Sequence, residues 1–344
     1  MQVTLKDIAL ECRVDVATVS RALNNAYGVH EDTRKQVLAA AARLNYRPNS
    51  LAKGLATGHS STLAMVISDI RNPFFAELAR GAEDAAYQNG YDLVLCNSDL
   101  NPSKQVRYIH SLLEKRVEGI VMNTVARLSR AEQEELGRSG VPIVLLNRPP
   151  ESIRGFSTVL ADNYRGGYLV GNYLVNCGHR VIGHLTGPRQ HGNLAERAKG
   201  FQKAVEEGKA TAVIARGYHT SEGGYEMMKK LLSQRRDLTA VFAANDAMAF
   251  GVIRAVFEAG RRVPDDISVV GFDNIEVAAM IRPPLTTIHQ PKYEMGWAAA
   301  EILLEQAARR NGWMPEHRLL EVKLVERESC RCLSRGRKGQ GHGA

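Results

Sequence analysis

The first 46 residues carry their hydrophobic side chains at the three- and four-residue spacing of short amphipathic helices. One predicted helix follows Thr4, a second follows Asp15 and a third begins at Glu31–Asp32, which are polar residues typical of helix starts. The three apolar faces consist of Ile8, Ala9 and Cys12, then Val16, Val19, Ala22 and Leu23, and finally Val37, Leu38, Ala41 and Leu44. Because no strand pattern interrupts them, we predict an all-α head.

From residue 62 onward, short apolar runs alternate with amphipathic helical stretches. The runs occupy 63–68, 91–98, 119–123, 142–147, 157–162, 181–186, 212–217, 240–245 and 267–273. Continuous apolar strands separated by helices are typical of parallel sheets that are covered on both faces. So many units exceed one doubly wound sheet, which predicts an α/β body of two doubly wound parallel-sheet subdomains.

Most of these runs end in a polar residue. The residues are Ser68, Asn97, Asn123, Asn147, Asp162, Asn245 and Asp273. In open α/β sheets, ligands bind outside the carboxyl ends of the strands, so these positions form a candidate binding site. Asn and Asp also cap the helices that follow strands, and both interpretations stay open at this point.

Composition and charge narrow the class of protein. The 344 residues carry a net charge of +8, of which +3 lies in residues 1–60 and +4 in residues 327–344. A basic end suggests a polyanionic partner, although a solvated surface is the alternative. With no membrane span and no secretory signal pattern, we expect a cytoplasmic protein. Its five scattered Cys favour reduced thiols over a disulfide framework.

The spacing of the first two predicted helices suits a helix-turn-helix. Val19 and Leu23 would hold the second helix to the core, which leaves Val16, Ala17 and Arg21 pointing outward from it. A recognition helix places such N-terminal residues on base edges, where Arg can donate to guanine and small apolar groups contact thymine methyls. A helical hairpin with a solvated face is the alternative at this stage.

The segments TLKDIALECRVDVATVSRALNN (4–25) and EDTRKQVLAAAARLNYRPNSLAKGL (31–55) resemble the N-terminal signature of the LacI/GalR family of bacterial transcription regulators. The resemblance implies a homodimer, with a tetramer as a further option, that binds double-stranded operator DNA. It also implies a hinge helix and a body similar to periplasmic sugar-binding proteins. Asp15 departs from the Ser that is more usual at its position.

Matching positions imply a set of DNA contacts. In this set Val16, Ala17 and Arg21 read bases, and Leu55, in a hinge helix over 49–56, enters the minor groove as a wedge. The remaining DNA contacts would be Thr4, Thr18, Ser20, Asn25, Tyr46 and Lys53. A short helix that contains Gly54 is a poor helix in free protein, so DNA would order it.

The resemblance and the patterns together imply a domain organisation. The expected segments are a helix-turn-helix domain (1–47), a hinge helix and linker (48–60), an effector-binding and dimerisation domain (61–328) and a basic, disordered tail (329–344). The body divides into one subdomain of about 61–161 and 291–322 and another of about 162–290.

Motifs in the body match the family as well and imply the effector contacts. The implied contacts are Phe74, Phe75, Asn147, Arg148, His191, Arg197, Asn245, Asp273 and Gln290. Arg donors beside Asp and Asn acceptors suit a polyhydroxylated ligand, and Phe faces can stack on a sugar ring. Asn147 stands where sugar-binding relatives often have Asp, and Arg71, Arg189 and His219 add positive or donor groups. That balance favours a sugar acid or sugar phosphate over a neutral sugar.

Nothing in the chain supports catalysis. It has no GxGxxG, P-loop, HExxH or GxSxG motif, and the Cys330–Cys332 pair would need two more ligands to bind a metal. We therefore expect no cofactor and no enzyme activity. An effector-controlled transcription regulator, most simply a repressor, is the leading hypothesis. A solute-binding protein of sugar transport and a sugar-modifying enzyme are the alternatives. The basic helical head argues against the first, and the second would need a catalytic acid–base constellation that the strand ends do not clearly offer.

Overall fold

The computed structural model describes residues 3–47, 59–123, 128–147, 155–187, 192–309 and 312–333. The chain divides into two compact units, Met1–Ser60 and Ser61–Ala344, each with its own hydrophobic core. Four of the expected DNA and effector contacts lie outside the described residues, namely Lys53, Leu55, Arg148 and His191.

Within its described residues, the head unit has the three helices that the sequence predicts over 4–46. They are α1 (Leu5–Cys12), α2 (Val16–Leu23) and α3 (Glu31–Arg43). Arg13 ends α1 in the left-handed region, with φ 55°, and Val14 packs against the core that the three helices share. The apolar spacing thus predicts the helices and most of the faces that they bury, but Val16 and Leu38, which it placed on those faces, are exposed.

The body alternates strands with helices. Its strands are β1 (Thr62–Ile67), β2 (Asp92–Asn97), β3 (Gly119–Met122), β4 (Ile143–Leu146), β5 (Ser157–Ala161), β6 (Val181–Thr186), β7 (Thr211–Arg216), β8 (Ala240–Ala243), β9 (Ser268–Val270), β10 (Thr287–His289), β11 (His317–Leu320) and β12 (Lys323–Val325). Its helices are α4 (Pro73–Gln88), α5 (Pro102–Glu114), α6 (Arg130–Arg138), α7 (Asn163–Asn176), α8 (Gly192–Glu207), α9 (Ser221–Gln234), α10 (Asp246–Glu258), α11 (Val277–Met280) and α12 (Lys292–Arg309). None of the described helices is long and apolar enough to cross a membrane.

These elements form two parallel sheets with helices packed on them. Lobe 1 is built on a six-stranded sheet in the order β11-β5-β4-β3-β1-β2, and lobe 2 on a four-stranded sheet in the order β7-β6-β8-β9. The predicted α/β body is confirmed, and each predicted apolar run overlaps a strand. The antiparallel pair β10–β12 was not predicted, because a strand of three residues is too short to show a recognisable pattern of apolar and polar positions.

The chain crosses between the lobes three times, after β5, before α12 and after β11. The third crossing contradicts the expected start of the tail. Ser329 is fully buried in lobe 2, where its carbonyl accepts from the Val269 N–H and its hydroxyl donates to the Val269 carbonyl. Residues 329–333 therefore run along the edge of β9 and belong to the body.

The expectation of reduced thiols is wrong for one pair of cysteines. Cys177, which follows α7, is joined by a disulfide to Cys332, 155 residues away along the chain. The Leu333 N–H donates to the Cys177 carbonyl at 2.7 Å beside it. Only the fold of lobe 2 brings these cysteines together, which is why a count and a spacing of cysteines could not reveal the bond.

Candidate functional site

One face of α2 carries the side chains that the sequence assigns to base recognition. Val16, Ala17 and Arg21 are exposed, whereas Val19 and Ala22 on the opposite face are buried in the head core. The buried pair sets the rotation of the helix, so the exposed residues present a surface that runs from Val16 and Ala17 in its first turn to Arg21 in its last turn. An α-helix of this kind fits the major groove of B-DNA.

The other expected head contacts flank that surface in different ways. Thr4 precedes α1, and both its N–H and its hydroxyl donate to the Asp7 carboxylate, which lowers the Asp7 pKa. Thr18 and Ser20 are half-buried on α2, while Asn25 is exposed just beyond it with φ 52°. Tyr46 follows α3 and packs partly against the core.

The ends of α2 are stabilised differently from the sequence-based expectation. Asp15 occupies the N-cap position, but its side chain makes no capping hydrogen bond, so its expected role as a side-chain cap is wrong. Instead, Arg34 of α3 donates to the carbonyls of Ala22 and Ala26, at 3.2 and 2.7 Å, at the other end. Sequence reasoning missed Arg34 because its target carbonyls lie on another element.

In the body, a cleft of about 550 Å³ lies between the two lobes, at the carboxyl ends of their parallel strands. Seven of the nine expected effector contacts line it, namely Phe74, Phe75, Asn147, Arg197, Asn245, Asp273 and Gln290. The other two lie outside the described residues. A volume of this size falls in the range of sites for small organic ligands.

The apolar wall of the cleft comes from the start of α4. Pro73 occupies the first turn of α4, and the Asn72 side chain caps that turn by accepting from the Phe74 N–H at 3.0 Å. The rings of Phe74 and Phe75 meet edge to face with centroids 5.1 Å apart, and both are buried. The local sequence NPFF thus combines a cap, a helix start and an aromatic surface for a ligand.

Arg197 is the buried cation of the cleft. Its Nε donates to Asn163 Oδ1 at 2.7 Å, its Nη1 donates to the Ala244 carbonyl, and its guanidinium lies 3.6 Å from the centre of the Phe272 ring. Burial lowers its pKa to about 10, against the opposing pull of Asp273. The group stays charged at neutral pH and is rigidly held, with donor capacity left for a ligand.

The opposite side of the cleft offers acceptors. Asp273 accepts from Gln290 Nε2 at 2.5 Å, and burial raises its pKa although Arg197 opposes that shift. Gln290 Oε1 and Asn147 Oδ1 are buried oxygens without a hydrogen-bond partner among the residues that the structure describes. Because buried acceptors are costly to leave unpaired, this side of the cleft calls for a ligand that donates hydrogen bonds.

Asn245 lines the cleft but is largely committed to the protein. Its Oδ1 caps α10 by accepting from the Met248 N–H at 2.8 Å, and its Nδ2 donates to the His219 carbonyl at 3.1 Å. One amide hydrogen remains for a ligand. The capping interpretation of strand-end Asn residues, left open above, therefore applies here.

The described part of the cleft shows no excess of cations, but Arg148, Arg189 and His191, which the sequence assigned to it, lie outside the described residues. Among the described lining residues, Arg71 and Arg197 stand against Asp69, Glu222 and Asp273. Arg71 is bonded to the Asp69 carboxylate at 2.9 Å, and that hydrogen bond raises the Arg71 pKa, so its charge is already matched. The expected excess of cations is therefore absent from the described part of the cleft.

Sequence reasoning also missed part of the lining. The missed residues include Asp69, Asn72, Leu100, Asn193, Leu194, Thr220, Ser221 and Glu222. Thr220 caps α9 by accepting a hydrogen bond from the Gly223 N–H at 3.1 Å. The run of polar residues at this helix start was the signal in the sequence from which Ser221 and Glu222 could have been assigned to the lining. His219, next to them, is largely buried, which lowers its pKa.

Comparisons with known proteins agree with both units. Residues 4–49 match the family model described as bacterial regulatory proteins, lacI family, and residues 172–330 match a periplasmic binding protein-like domain. The HTH-type transcriptional repressor PurR of Proteus mirabilis (strain HI4320) is 37% identical over 331 residues, which cover 95% of this chain and 96% of that protein.

Solved structures are similar over most of the chain. The lac repressor dimer bound to operator and the anti-inducer ONPF is 30% identical, with a TM-score of 0.85 over 96% of this chain and 99% of that chain. A LacI family regulator from Enterococcus faecium with bound ribose is 33% identical, with a TM-score of 0.72 over 79% of this chain and 100% of that chain. These relatives are regulators, which disfavours the transport and enzyme hypotheses. The chain belongs to the LacI family of bacterial regulatory proteins and is a DNA-binding transcriptional repressor of that family.

Proposed function

We propose that the protein binds a palindromic operator as a homodimer in the cytoplasm and that a neutral, polyhydroxylated effector in the body cleft controls this binding. The observation that carries the DNA part is the face of α2, where Val16, Ala17 and Arg21 are exposed while Val19 and Ala22 hold the helix to the core. Two such helices related by dimer symmetry read the two halves of a palindrome.

Exposed apolar residues on the body support the homodimer. Val94 and Leu95, about 40% exposed, lie on β2, the edge strand of lobe 1. On lobe 2, Phe257 and Met280 are exposed beside a hollow lined by Phe250, Ile253 and Ile281. An apolar edge strand and an apolar hollow on one chain favour burial against a second copy.

The donors and acceptors of the cleft support a neutral sugar as the effector. Asn147, Gln290 and Asp273 present oxygens that need donors, and Arg197 presents a donor, which together suit the hydroxyls of a sugar. A sugar acid or phosphate would meet three carboxylates against two cations among the described lining residues. The E. faecium relative, solved with ribose, holds a ligand of the proposed class.

Lys53 and Leu55 complete the proposal as hinge contacts, although they lie outside the described residues. Effector binding would shift the lobes and change the geometry of the paired hinge segments, because a ligand moves an equilibrium toward the state that it binds better. If Leu55 acts as a wedge at the central base step, Leu55→Ala weakens binding to the specific duplex. Unchanged affinity would contradict the wedge.

Fluorescence anisotropy tests the DNA part. The probe is a palindromic duplex with a central CG step, whose half-sites are enriched from random sequence, and its control is a scrambled duplex at physiological salt. We expect Arg21→Ala to weaken specific binding by about 1–3 kcal/mol. Lys35→Ala removes one exposed charge from α3 and is the matched control. Equal affinity for both duplexes would overturn the assignment as a sequence-specific regulator.

A thermal-shift panel tests the effector part. It compares D-ribose, D-xylulose and cellobiose with ribose 5-phosphate and gluconate on the full chain. A ligand at 100 times its Kd adds about 2.7 kcal/mol to the stability of the state that binds it. We expect stabilisation from a neutral sugar, and Asp273→Asn should abolish it. Stabilisation by only the anionic members would contradict the neutral class.

A further inference from the structure

The acidic residue of the cleft sits on an unusual stretch of backbone. Asp273 has φ 119° and Asn274 has φ 52°, so two consecutive residues with side chains lie in the left-handed half of conformational space. Such conformations persist only where the surrounding structure imposes them. The direction of the Asp273 carboxylate depends on whatever holds these two peptide units.

Lys292 holds both of them. Its side chain is 1% exposed, and its Nζ donates to the carbonyls of Asp273 at 2.9 Å, Asn274 at 3.1 Å and Gln290 at 3.4 Å. The same ammonium lies 3.2 Å from the Glu77 carboxylate. The successive carbonyls of the left-handed pair therefore converge on one buried cation, which satisfies them where water cannot.

The ammonium is anchored in lobe 1, whereas its carbonyl partners Asp273 and Asn274 follow a strand of lobe 2. Lys292 begins α12, which packs closely on α4, the helix that carries Glu77. A Cβ built on Gly296 of α12 would overlap the Leu78 carbonyl of α4, and a Cβ on Gly81 would overlap the Tyr293 carbonyl. These two glycines let the helices approach, so the cation rests on a rigid base.

We propose that Lys292 is the positioning residue for the Asp273 carboxylate, which it aims into the cleft by holding the left-handed Asp273–Asn274 backbone from the opposite lobe. The inference rests on the proposed effector site. The segment has other contacts as well: Gln290 donates to the Asp273 carboxylate, and the Asp273 N–H donates to the Ile288 carbonyl. Arg327 donates to Asn274 Oδ1, and the Ile275 N–H donates to Asp246, but none of these bonds reaches the Asp273 or Asn274 carbonyl. Lys292 alone among the described residues is hydrogen-bonded to both carbonyls of the pair.

The first measurement needs no ligand. Amide hydrogen exchange is followed on the full chain for the wild type, Lys292→Met and a matched core variant, Leu231→Ala, whose buried side chain lies on α9. We expect Lys292→Met to speed exchange of the peptide covering 271–276 at least tenfold, with β1 unchanged. Leu231→Ala should leave 271–276 within twofold. Exchange within twofold of wild type in Lys292→Met would overturn the proposal.

Two further variants separate positioning from a general loss of structure. Lys292→Gln keeps an amide that can donate to two carbonyls, so its exchange should fall between wild type and Lys292→Met, and it serves if Lys292→Met fails to fold. Glu77→Gln removes the ion pair but leaves the carbonyl bonds, so it should match wild type. An effect of Glu77→Gln as large as that of Lys292→Met would overturn the carbonyl-based account.

The second measurement uses D-ribose as the probe, titrated by calorimetry into each variant. We expect Lys292→Met to bind D-ribose at least tenfold more weakly than the wild type, and Leu231→Ala to bind it with an affinity within twofold of the wild type. Equal affinity in wild type and Lys292→Met would contradict the proposal. If D-ribose does not bind the wild type, that result counts against the proposed neutral-sugar effector and not against the role of Lys292. The exchange measurement still decides that role.

Discussion

His184 offers a quantitative test of the lobe 2 core. It lies on β6 with no solvent exposure, stacked on Phe242 with ring centroids 4.6 Å apart and planes inclined by 10°. Its Nδ1 is 3.1 Å from the Phe242 carbonyl, which makes Nδ1 the protonated nitrogen of a neutral ring. Nε2 is buried and has no hydrogen-bond partner among the described residues.

Burial of this ring links stability to pH. Loss of solvent around the imidazole lowers the His184 pKa from its ordinary 6.5 to about 4. Between those values the unfolded chain binds a proton that the folded chain does not, so stability is complete above pH 6.5 and falls as the pH drops toward 4. The linkage relation gives a loss of about 2 kcal/mol at pH 5.0 and almost none at pH 7.5.

The perturbation is His184→Phe, which keeps an aromatic ring in the stack and removes the proton site. Urea unfolding is followed at pH 7.5 and 5.0 by far-UV circular dichroism, because both tryptophans, Trp297 on α12 and Trp313 before β11, belong to lobe 1 and do not report on the lobe 2 core. From pH 7.5 to pH 5.0, the unfolding free energy of the wild type should fall by about 2 kcal/mol more than that of the variant.

Phe242→Leu is the control, because it damages the same stack but keeps the imidazole. It should retain the pH-dependent loss of the wild type, although it is less stable at both pH values. Other histidines are common to all three proteins and cancel in the comparison. Parallel pH dependence in wild type and His184→Phe would refute the neutral, desolvated state of His184.

Three further outcomes follow from the packing of the body. Urea-denatured protein without reductant should titrate three thiols and reduced protein five, whereas Cys332→Ser should titrate four without reductant; five without reductant would exclude the Cys177–Cys332 bond. Asn245→Ala should cost about 1 kcal/mol of unfolding free energy through the lost cap of α10, and an unchanged urea midpoint would rule the cap out. Gly200→Ala should destabilise by about 1–3 kcal/mol because its Cβ would overlap the Tyr164 carbonyl, whereas Gly137→Ala, in open space on α6, should stabilise slightly; equal effects would contradict the close α7–α8 packing.

The sequence alone determined the class of fold, because apolar periodicity is a local property. Three helical faces in the head match the observed helices, and nine apolar runs in the body match nine of the ten strands in the two parallel sheets, with β11 missed. Strands of a parallel sheet place their carboxyl ends at one edge, so strand-end residues such as Asn147 and Asp273 could be assigned to the cleft before the cleft was seen. Arg197, by contrast, was identified by its family motif.

Tertiary structure decided the chemistry of the site, because it depends on which groups meet across the chain. Asn245 was assigned to the effector and Arg71 to a cation-rich cleft, but capping of α10 occupies the first and Asp69 neutralises the second. The Cys177–Cys332 bond joins residues that are 155 positions apart, a separation at which no local pattern survives.

Lys292 illustrates the same limit most clearly. In sequence it is one lysine at the start of an amphipathic helix, where a solvated side chain is the ordinary outcome. In the fold its ammonium is buried under the cleft and bonded to the backbone of Asp273 and Asn274 from the other lobe. Local pattern therefore determined which elements form and which strand ends line the cleft. Long-range contacts decided the burial, pairing and aim of the side chains there, because desolvation and hydrogen bonding depend on neighbours that only the folded chain supplies.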